Sequence, residues 1–367
     1  MRLTPITRAG GHVLARDLPI VGGSSLPLLR AGAQLTPRLI DILDGKGFKA
    51  VYVEDRLSVG VEPVELLPEH VRSEAADRVA GALRGARDAF ASQQTLAPGL
   101  MAAMSDAANR IAANLLESPD AAMALADLAG ADEYTHRHSV NVAALGLLLA
   151  REHWQRHGWT DHTGRQRYDR MPEQLTKLGV GLLLHDVGKM AVPLEILNKP
   201  GLLDEEEWLI MRTHPQAGYD LLANPTLSSL TRSIVRDHHE RFDGSGYPRG
   251  LVGTSIHEFS RLAAIADVYD AVCSERPYRA AQPPSAGVAV ISRGSGTAFD
   301  PLMVATFRRL VFPYPVGSEV ALPDGRVGVV RAVDPERPGV PLVRVDDGAG
   351  GMTEVELDPA AGELVSA

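Results

Sequence analysis

Leu182-Leu183-Leu184-His185-Asp186-Val187-Gly188-Lys189 decides how the rest of the chain is read. An apolar helical run delivers a histidine and an aspartate side by side, then breaks at a glycine followed by a lysine. Adjacent helix positions lie about 100° apart, so the two side chains can grip one cluster only at its rim. An imidazole nitrogen and a carboxylate oxygen suit a borderline divalent metal, and the carboxylate can bridge two ions. For an isolated dipeptide the plainer alternative is a His-Asp hydrogen-bonded pair closing a buried helix. The rest of the chain weighs against it by supplying more ligands of the same type.

Upstream, Asp132 to Val142 opens an amphipathic helix that continues through Leu145, Leu148 and Leu149 and carries His138. Acids at its start suit the positive end of a helix. Downstream, Asn198-Lys199-Pro200-Gly201 forms a turn, and Asp204 with Glu207 three residues on makes a capping box. The helix it starts carries Trp208, Ile210 and Met211 and is predicted to end near His214-Pro215. Another helix, with Leu230, Ile234 and Val235, runs into His238-His239 and breaks at Asp243-Gly244-Ser245-Gly246-Tyr247-Pro248. The last core helix, Arg261 to Asp270, carries Asp267 and enough alanine to let neighbours approach closely. Between them, the polar stretch Arg151 to Glu173 (Trp154, His157, Trp159, His162) reads as an exposed excursion whose histidines lie on the surface.

His138, His185, Asp186, His214, His238, His239 and Asp267 thus fall on or at the ends of apolar-faced helices, where an unpaired polar group is costly. Each histidine alone reads more simply as a satisfied core residue. The adjacent pairs His185-Asp186 and His238-His239 within one helical region reverse that reading. Nitrogen and oxygen donors without sulfur fit two divalent ions, of iron or manganese type, sharing a bridging carboxylate and a bridging water. Such a pair suits in-line attack of hydroxide on phosphorus.

Composition narrows the field. The chain has 367 residues, a 45% hydrophobic and 23% charged make-up, and a net charge of −9. The acidic balance argues against a nucleic-acid polymer as partner, since that needs a basic surface. A small anionic substrate held by a few local cations remains compatible with it. The one cysteine, Cys273, permits no internal disulfide and no thiolate-ligated zinc. The N-terminus lacks the apolar run of a signal peptide, and no apolar stretch approaches 18 residues. The expectation is a cytoplasmic protein with no membrane partner.

Four segments are expected. Residues 1–60 form a small β-rich module: Val13-Leu14-Ala15 and Leu26-Pro27-Leu28-Leu29 flank the turn Gly22-Gly23-Ser24-Ser25. A helix opens at Thr36-Pro37, and Val51-Tyr52-Val53 is a last strand. Residues 61–125 are alanine-rich and helical, broken at Pro98-Gly99, with Val79, Leu83, Ala86 and Phe90 on one face. They could transmit a signal, pair in a homodimer, or be the first helices of the larger domain. Residues 126–313 hold the chemistry. In 314–367, Glu319 to Leu322, Val327 to Val330 and Leu342 to Val345 are strands of a small barrel-like module. The fold class is mainly α, with β-rich modules at both ends through which protein partners could act.

His185-Asp186 with Gly188-Lys189, then His238-His239 and Gly246-Tyr247-Pro248, resemble the HD-GYP family of metal-dependent phosphohydrolases. The resemblance covers roughly Ala126 to Pro313 and extends to His138-Ser139-x-Asn141-Val142, His214-Pro215 and Arg276-Pro277-Tyr278-Arg279. It implies hydrolysis of cyclic di-GMP, a bacterial second messenger, to linear pGpG and in some members on to GMP. It also implies that the seven residues above are metal ligands, with Asp186 bridging. Lys189, one turn beyond His185, could place an ammonium near the scissile phosphate or protonate the leaving alkoxide; Asp186 and Lys189 are the expected catalytic pair. Arg276 and Arg279 could fork onto phosphate oxygens, surface ion pairing being the plainer alternative. Tyr247 could stack on guanine or bond a phosphate.

One departure concerns metal number. Some members place a glutamate four residues before the first ligand histidine to hold a third ion, whereas this chain has Tyr134 there with Glu133 beside it, so two ions are expected. Two competing functions stay open: a receptor that binds the dinucleotide without turnover, and a phosphohydrolase for another cyclic dinucleotide such as cyclic GMP-AMP.

Overall fold

The computed structural model describes all residues except 19–26, 47, 49, 64–65, 118–133, 162, 225–226, 275–280, 323, 358–364 and 367. The chain is mainly α-helical, with a small antiparallel sheet at each end.

The N-terminal sheet has the order β1-β3-β2, from β1 (Arg2–Pro5), β2 (Val13–Leu14) and β3 (Ala50–Glu54). Between β2 and β3, α1 (Pro37–Gly45) starts as its sequence asks: Thr36 Oγ1 accepts from the amide of Leu39, and Pro37 takes the first helical position. Val51 and Val53 on β3 bury against Ile6, Leu14, Leu35 and Leu43. The sequence missed β1, whose arginine and threonine hide a strand. The Gly22 to Ser25 turn lies outside the described residues, and among the described residues Leu29 pairs with Leu18 through an isolated bridge.

Next come α2 (Glu69–Ser92) and α3 (Pro98–Glu117), then α4 (Tyr134–His157), α5 (Met171–Leu184), α6 (Leu194–Leu197), α7 (Glu205–Met211), α8 (His214–Leu221), α9 (Ser229–Asp237) and α10 (Glu258–Cys273). The apolar stripe of α2 (Val71, Ala75, Val79, Leu83, Ala86) shares one hydrophobic core with α3, α4, α5 and α10. From Leu178 to Leu184, α5 is buried on every side, because α3, α4 and α9 pack around it. That is why its sequence is apolar without periodicity. Two more helices, α11 (Pro284–Arg293) and α12 (Pro301–Leu310), extend the core past the helix read as the last one.

Two local readings need correction. The stretch after Arg151 is not all excursion: α4 runs on to His157, and Trp154 is 0% exposed, its ring 5.3 Å from that of Phe259. Its polar face is carried by Glu152 and Arg156, which pair at 2.6 Å, while Trp154 turns inward. Only β4 (Trp159–Thr160) and β5 (Gln166–Arg167) project as a short hairpin; His162 lies outside the described residues. His214 does not close α7 but opens α8, where Pro215 is tolerated because a first-turn amide has no helical acceptor.

The C-terminal sheet has the order β10-β6-β7-β8-β9, from β6 (Glu319–Ala321), β7 (Val327–Val333), β8 (Pro341–Asp346), β9 (Met352–Glu356) and β10 (Val365–Ser366). The two terminal modules touch. The amide of Leu3 donates to Gly317 O at 2.9 Å, and buried Glu319 pairs with Arg2 and accepts from Thr4 Oγ1. No helix among the described residues is long and apolar enough to cross a membrane.

Candidate metal centre

All seven expected ligands converge. His138 comes from α4, His185 from the end of α5, and Asp186 from the turn beyond it. His214 opens α8, His238 and His239 follow α9, and Asp267 sits within α10. Three groups of ligand atoms lie close enough to hold a metal ion: Asp186, His214, His238 and His239; His138, His185 and Asp186; and His185, His238 and Asp267.

Asp186 is at the middle. Its Oδ2 lies 3.3 Å from His185 Nε2 and 3.8 Å from His138 Nε2. Its Oδ1 lies 3.4 Å from His214 Nε2 and 3.8 Å from His238 Nε2. One carboxylate therefore faces a different histidine pair with each oxygen. Asp267 Oδ1 is 3.2 Å from His138 Nε2, and its Oδ2 is 3.9 Å from His239 Nδ1.

The inner atoms are available because the outer ones are engaged. Nδ1 of His185 bonds Leu182 O at 2.7 Å, Nδ1 of His214 bonds Met211 O at 2.8 Å, and Nδ1 of His238 bonds Val235 O at 3.0 Å. A carbonyl only accepts, so each of these Nδ1 atoms carries the proton and each Nε2 turns a lone pair inward. His185 Nε2 and Asp186 Oδ1 are buried without a hydrogen-bond partner. Buried atoms of this kind are costly unless a ligand completes them. An N/O donor set with bare inner atoms fits divalent metal.

Electrostatics agree. Burial opposes ionisation of Asp186, yet the Lys189 ammonium and the nearby imidazoles outweigh it and hold the carboxyl well below its usual range. Asp267 is held low in the same way, burial being outweighed by His138 and its neighbours. Burial, aided by the surrounding histidines, pushes His238 well down and His239 to about 3, so both are neutral. His138 is the exception: burial disfavours its charge, but Asp267 and Asp270 raise it to about 9. Metal entering there displaces a proton.

Two glycines let the elements close in. A Cβ on Gly188 would collide with the carbonyl of His214 and stand 2.5 Å from the amide nitrogen of Gly218. One on Gly246 would strike the backbone of His239 to Arg241. Lys189 Nζ donates to Asp186 Oδ2 at 2.6 Å. The Tyr247 ring stacks on His239 at 4.8 Å, with the Arg212 guanidinium 4.4 Å from its centroid. Arg276 and Arg279 lie outside the described residues, as do Glu133 and the side chain of Tyr134.

Sequence reading missed four supporting residues. Asp270 Oδ2 accepts from His138 Nδ1 at 2.6 Å, and Asn141 Nδ2 donates to Asp270 Oδ1 at 2.9 Å. Arg72 donates to Asn141 Oδ1 at 2.6 Å. Glu240 accepts from the amides of Arg249 and Leu251 and so ties down the Gly246 loop. The i, i+3 spacings of Asp267 with Asp270 and of His138 with Asn141 were a usable signal. Arg72 offered none.

Residues 149–303 match the family described as the HD domain. That segment is similar to HD domains. The matched segment starts inside α4, after His138, and includes the other six converging residues. A cyclic di-GMP phosphodiesterase of Pseudomonas aeruginosa is 40% identical over 228 residues, covering 62% of this chain and 51% of that protein. A cyclic di-GMP phosphodiesterase response regulator of Xanthomonas campestris is 42% identical over 139 residues, 37% of each chain. A 3′3′-cGAMP-specific phosphodiesterase of Vibrio cholerae is 41% identical over 127 residues, 35% of this chain and 28% of that one. The chain thus spans about half the length of the first relative and less of the other two.

Proposed function

We propose that this chain is a phosphodiesterase that hydrolyses cyclic di-GMP to linear pGpG at two divalent ions of iron or manganese type, in the cytoplasm. The observation that carries the reading is Asp186, which turns one oxygen to His138 and His185 and the other to His214 and His238. The seven converging residues would hold the ions, with Asp186 bridging. When bound, such ions polarise water and offset the charge that builds on phosphorus.

The chain's own residues then have defined tasks. Lys189 Nζ donates to Asp186 Oδ2, and from there it can bind a phosphoryl oxygen or serve as acid to the leaving sugar oxygen. The Tyr247 hydroxyl stays protonated, because burial and the charges of Asp186 and Asp267 raise its pKa. Its ring already packs on His239 and Arg212, so we assign it hydrogen-bond donation to phosphate rather than stacking on guanine. Arg276 and Arg279 are assigned to the phosphates, where their planar forks match paired oxygens. The division into segments 1–60, 61–125, 126–313 and 314–367, homodimer formation and protein partners at the terminal modules go with this reading as proposals.

The names of the Pseudomonas and Xanthomonas relatives support cyclic di-GMP as substrate. The Vibrio relative favours a second reading, hydrolysis of 3′3′-cGAMP. The test is anaerobic purification with metal analysis, followed by chromatography of products from each dinucleotide with added Mn²⁺ or Fe²⁺. About two ions per chain and pGpG from cyclic di-GMP are expected, and Asp186→Ala should lose both metal and turnover. Turnover of 3′3′-cGAMP alone would select the second reading. Tight dinucleotide binding with neither metal nor product would overturn both in favour of a receptor.

A further inference from the structure

We infer that Arg72, far from the motif residues in sequence, is a positioning residue for His138, acting through Asn141 and Asp270. The inference rests on the metal reading of the centre. Arg72 sits in the first turn of α2, 9% exposed, and donates to Asn141 Oδ1 at 2.6 Å. Asn141 Nδ2 donates to Asp270 Oδ1 at 2.9 Å, and Asp270 Oδ2 meets His138 Nδ1 at 2.6 Å. Asn141 and Asp270 are also buried.

Chemistry forces the direction of every link. A guanidinium only donates, so it must meet the amide oxygen of Asn141, and the amide nitrogen is left for a carboxylate that only accepts. Both Asp270 oxygens are then engaged, one of them by the proton on His138 Nδ1. That proton turns Nε2 toward Asp186 and Asp267. Without Arg72, the Asn141 oxygen loses a buried charged partner and the amide is free to turn its nitrogen away from Asp270. The carboxylate that orients His138 is then held by one fewer bond.

The same turn of α2 grips α4 at a second point. Glu69 accepts from Arg137, next to His138, at 3.2 Å and lies 3.7 Å from Arg72. The N-terminal module is joined to this turn by the short run after β3, in which Val61, Leu66 and Leu67 are buried. The first turn of α2 is therefore where a shift of that module would reach a metal ligand.

The test is calorimetric titration of the metal-free, full-length chain with Mn²⁺. Arg72→Met should weaken binding by up to about 10-fold, the low end of the cost of losing a direct outer partner of a ligand, because Arg72 acts through Asn141 and Asp270, and Arg72→Lys should recover part of it. Asn141→Ala should weaken binding similarly, and adding Arg72→Met to it should cost little more. Arg78→Ala, on the same helix but paired with exposed Asp106, should bind as wild type. A purely structural role would lower the melting temperature and leave Mn²⁺ affinity unchanged; that result, or full additivity of the two losses, would overturn the inference. Failure of the wild-type chain to bind Mn²⁺ would overturn the metal reading and the inference together.

Discussion

Gly188→Ala isolates the packing that brings His214 to Asp186. The φ of Gly188 is not left-handed, so an alanine there carries no backbone strain and the cost is steric. The added methyl would collide with His214 O and sit 2.5 Å from Gly218 N, both backbone atoms that no rotamer change can move. Relief requires α8 to retreat by about 1 Å, and overpacking of this kind costs about 3 kcal/mol where side chains cannot give way. At about 2–4 °C per kcal/mol for a large domain, melting should fall by roughly 6–12 °C. A shift of about 1 Å also exceeds the few tenths of an ångström that metal-ligand distances tolerate, so bound metal should drop from about two ions to about one. The assay is metal analysis beside a thermal melt, with Gly181→Ala as control. A methyl at Gly181 collides only with the movable Cδ1 of Ile234 and stands 3.1 Å from its Cβ, so a shift of a few tenths of an ångström relieves it, and a helix-interior alanine offsets about 0.5–1 kcal/mol of that cost. Gly188→Ala with wild-type melting and metal content would refute the argument.

Trp154→Ala should cost about 3–5 kcal/mol in urea unfolding, as deletion of a buried tryptophan does; a loss under about 0.5 kcal/mol would mean an exposed side chain after all. Glu258 gives a pH dependence. Burial raises its carboxyl to about 7 despite two bonds from Thr160, against an ordinary value of 4.5. The folded chain thus keeps a proton that the unfolded chain releases. The stabilisation is complete below about 4.5 and is lost as pH rises through 7. Glu258→Gln can keep both Thr160 bonds and should gain on wild type by up to about 3 kcal/mol between pH 5 and 8. Parallel pH profiles for the two proteins would sink this assignment.

How much was legible follows from which forces are local. Thr36-Pro37, the Asp204 to Glu207 capping box and the α2 stripe are local signals, and each appears where the sequence put it. The converging histidines were legible as a set because adjacent pairs on apolar helices are hard to explain otherwise. Trp154 was misread because its neighbours are charged, although an amphipathic helix needs such neighbours on its outer face. α11 and α12 went unread although each spans ten residues and Asp300-Pro301 caps the start of α12. Arg72 could not be found at all: its partner lies 69 residues away, and a lone arginine on an alanine-rich helix reads as solvated.

The converging residues cluster at helix ends for a physical reason. The last carbonyls of a helix lack amide partners. His185, His214 and His238 stand three residues beyond Leu182, Met211 and Val235, at or near the ends of α5, α7 and α9, and each donates Nδ1–H to that carbonyl. One bond both closes the helix and fixes the imidazole with Nε2 inward, so the orientation of these three histidines is set by secondary structure. His138 cannot use this device. It lies inside α4, where the backbone carbonyls already serve the helix, so its Nδ1 needs an acceptor from another element, and Asp270 of α10 supplies it. A borrowed acceptor must itself be held, which is the task of Asn141 and Arg72. Of these four histidines, His138 is therefore the one whose aim depends on how separate helices sit against each other. If the N-terminal module governs the centre, its effect should enter at His138 before the other three.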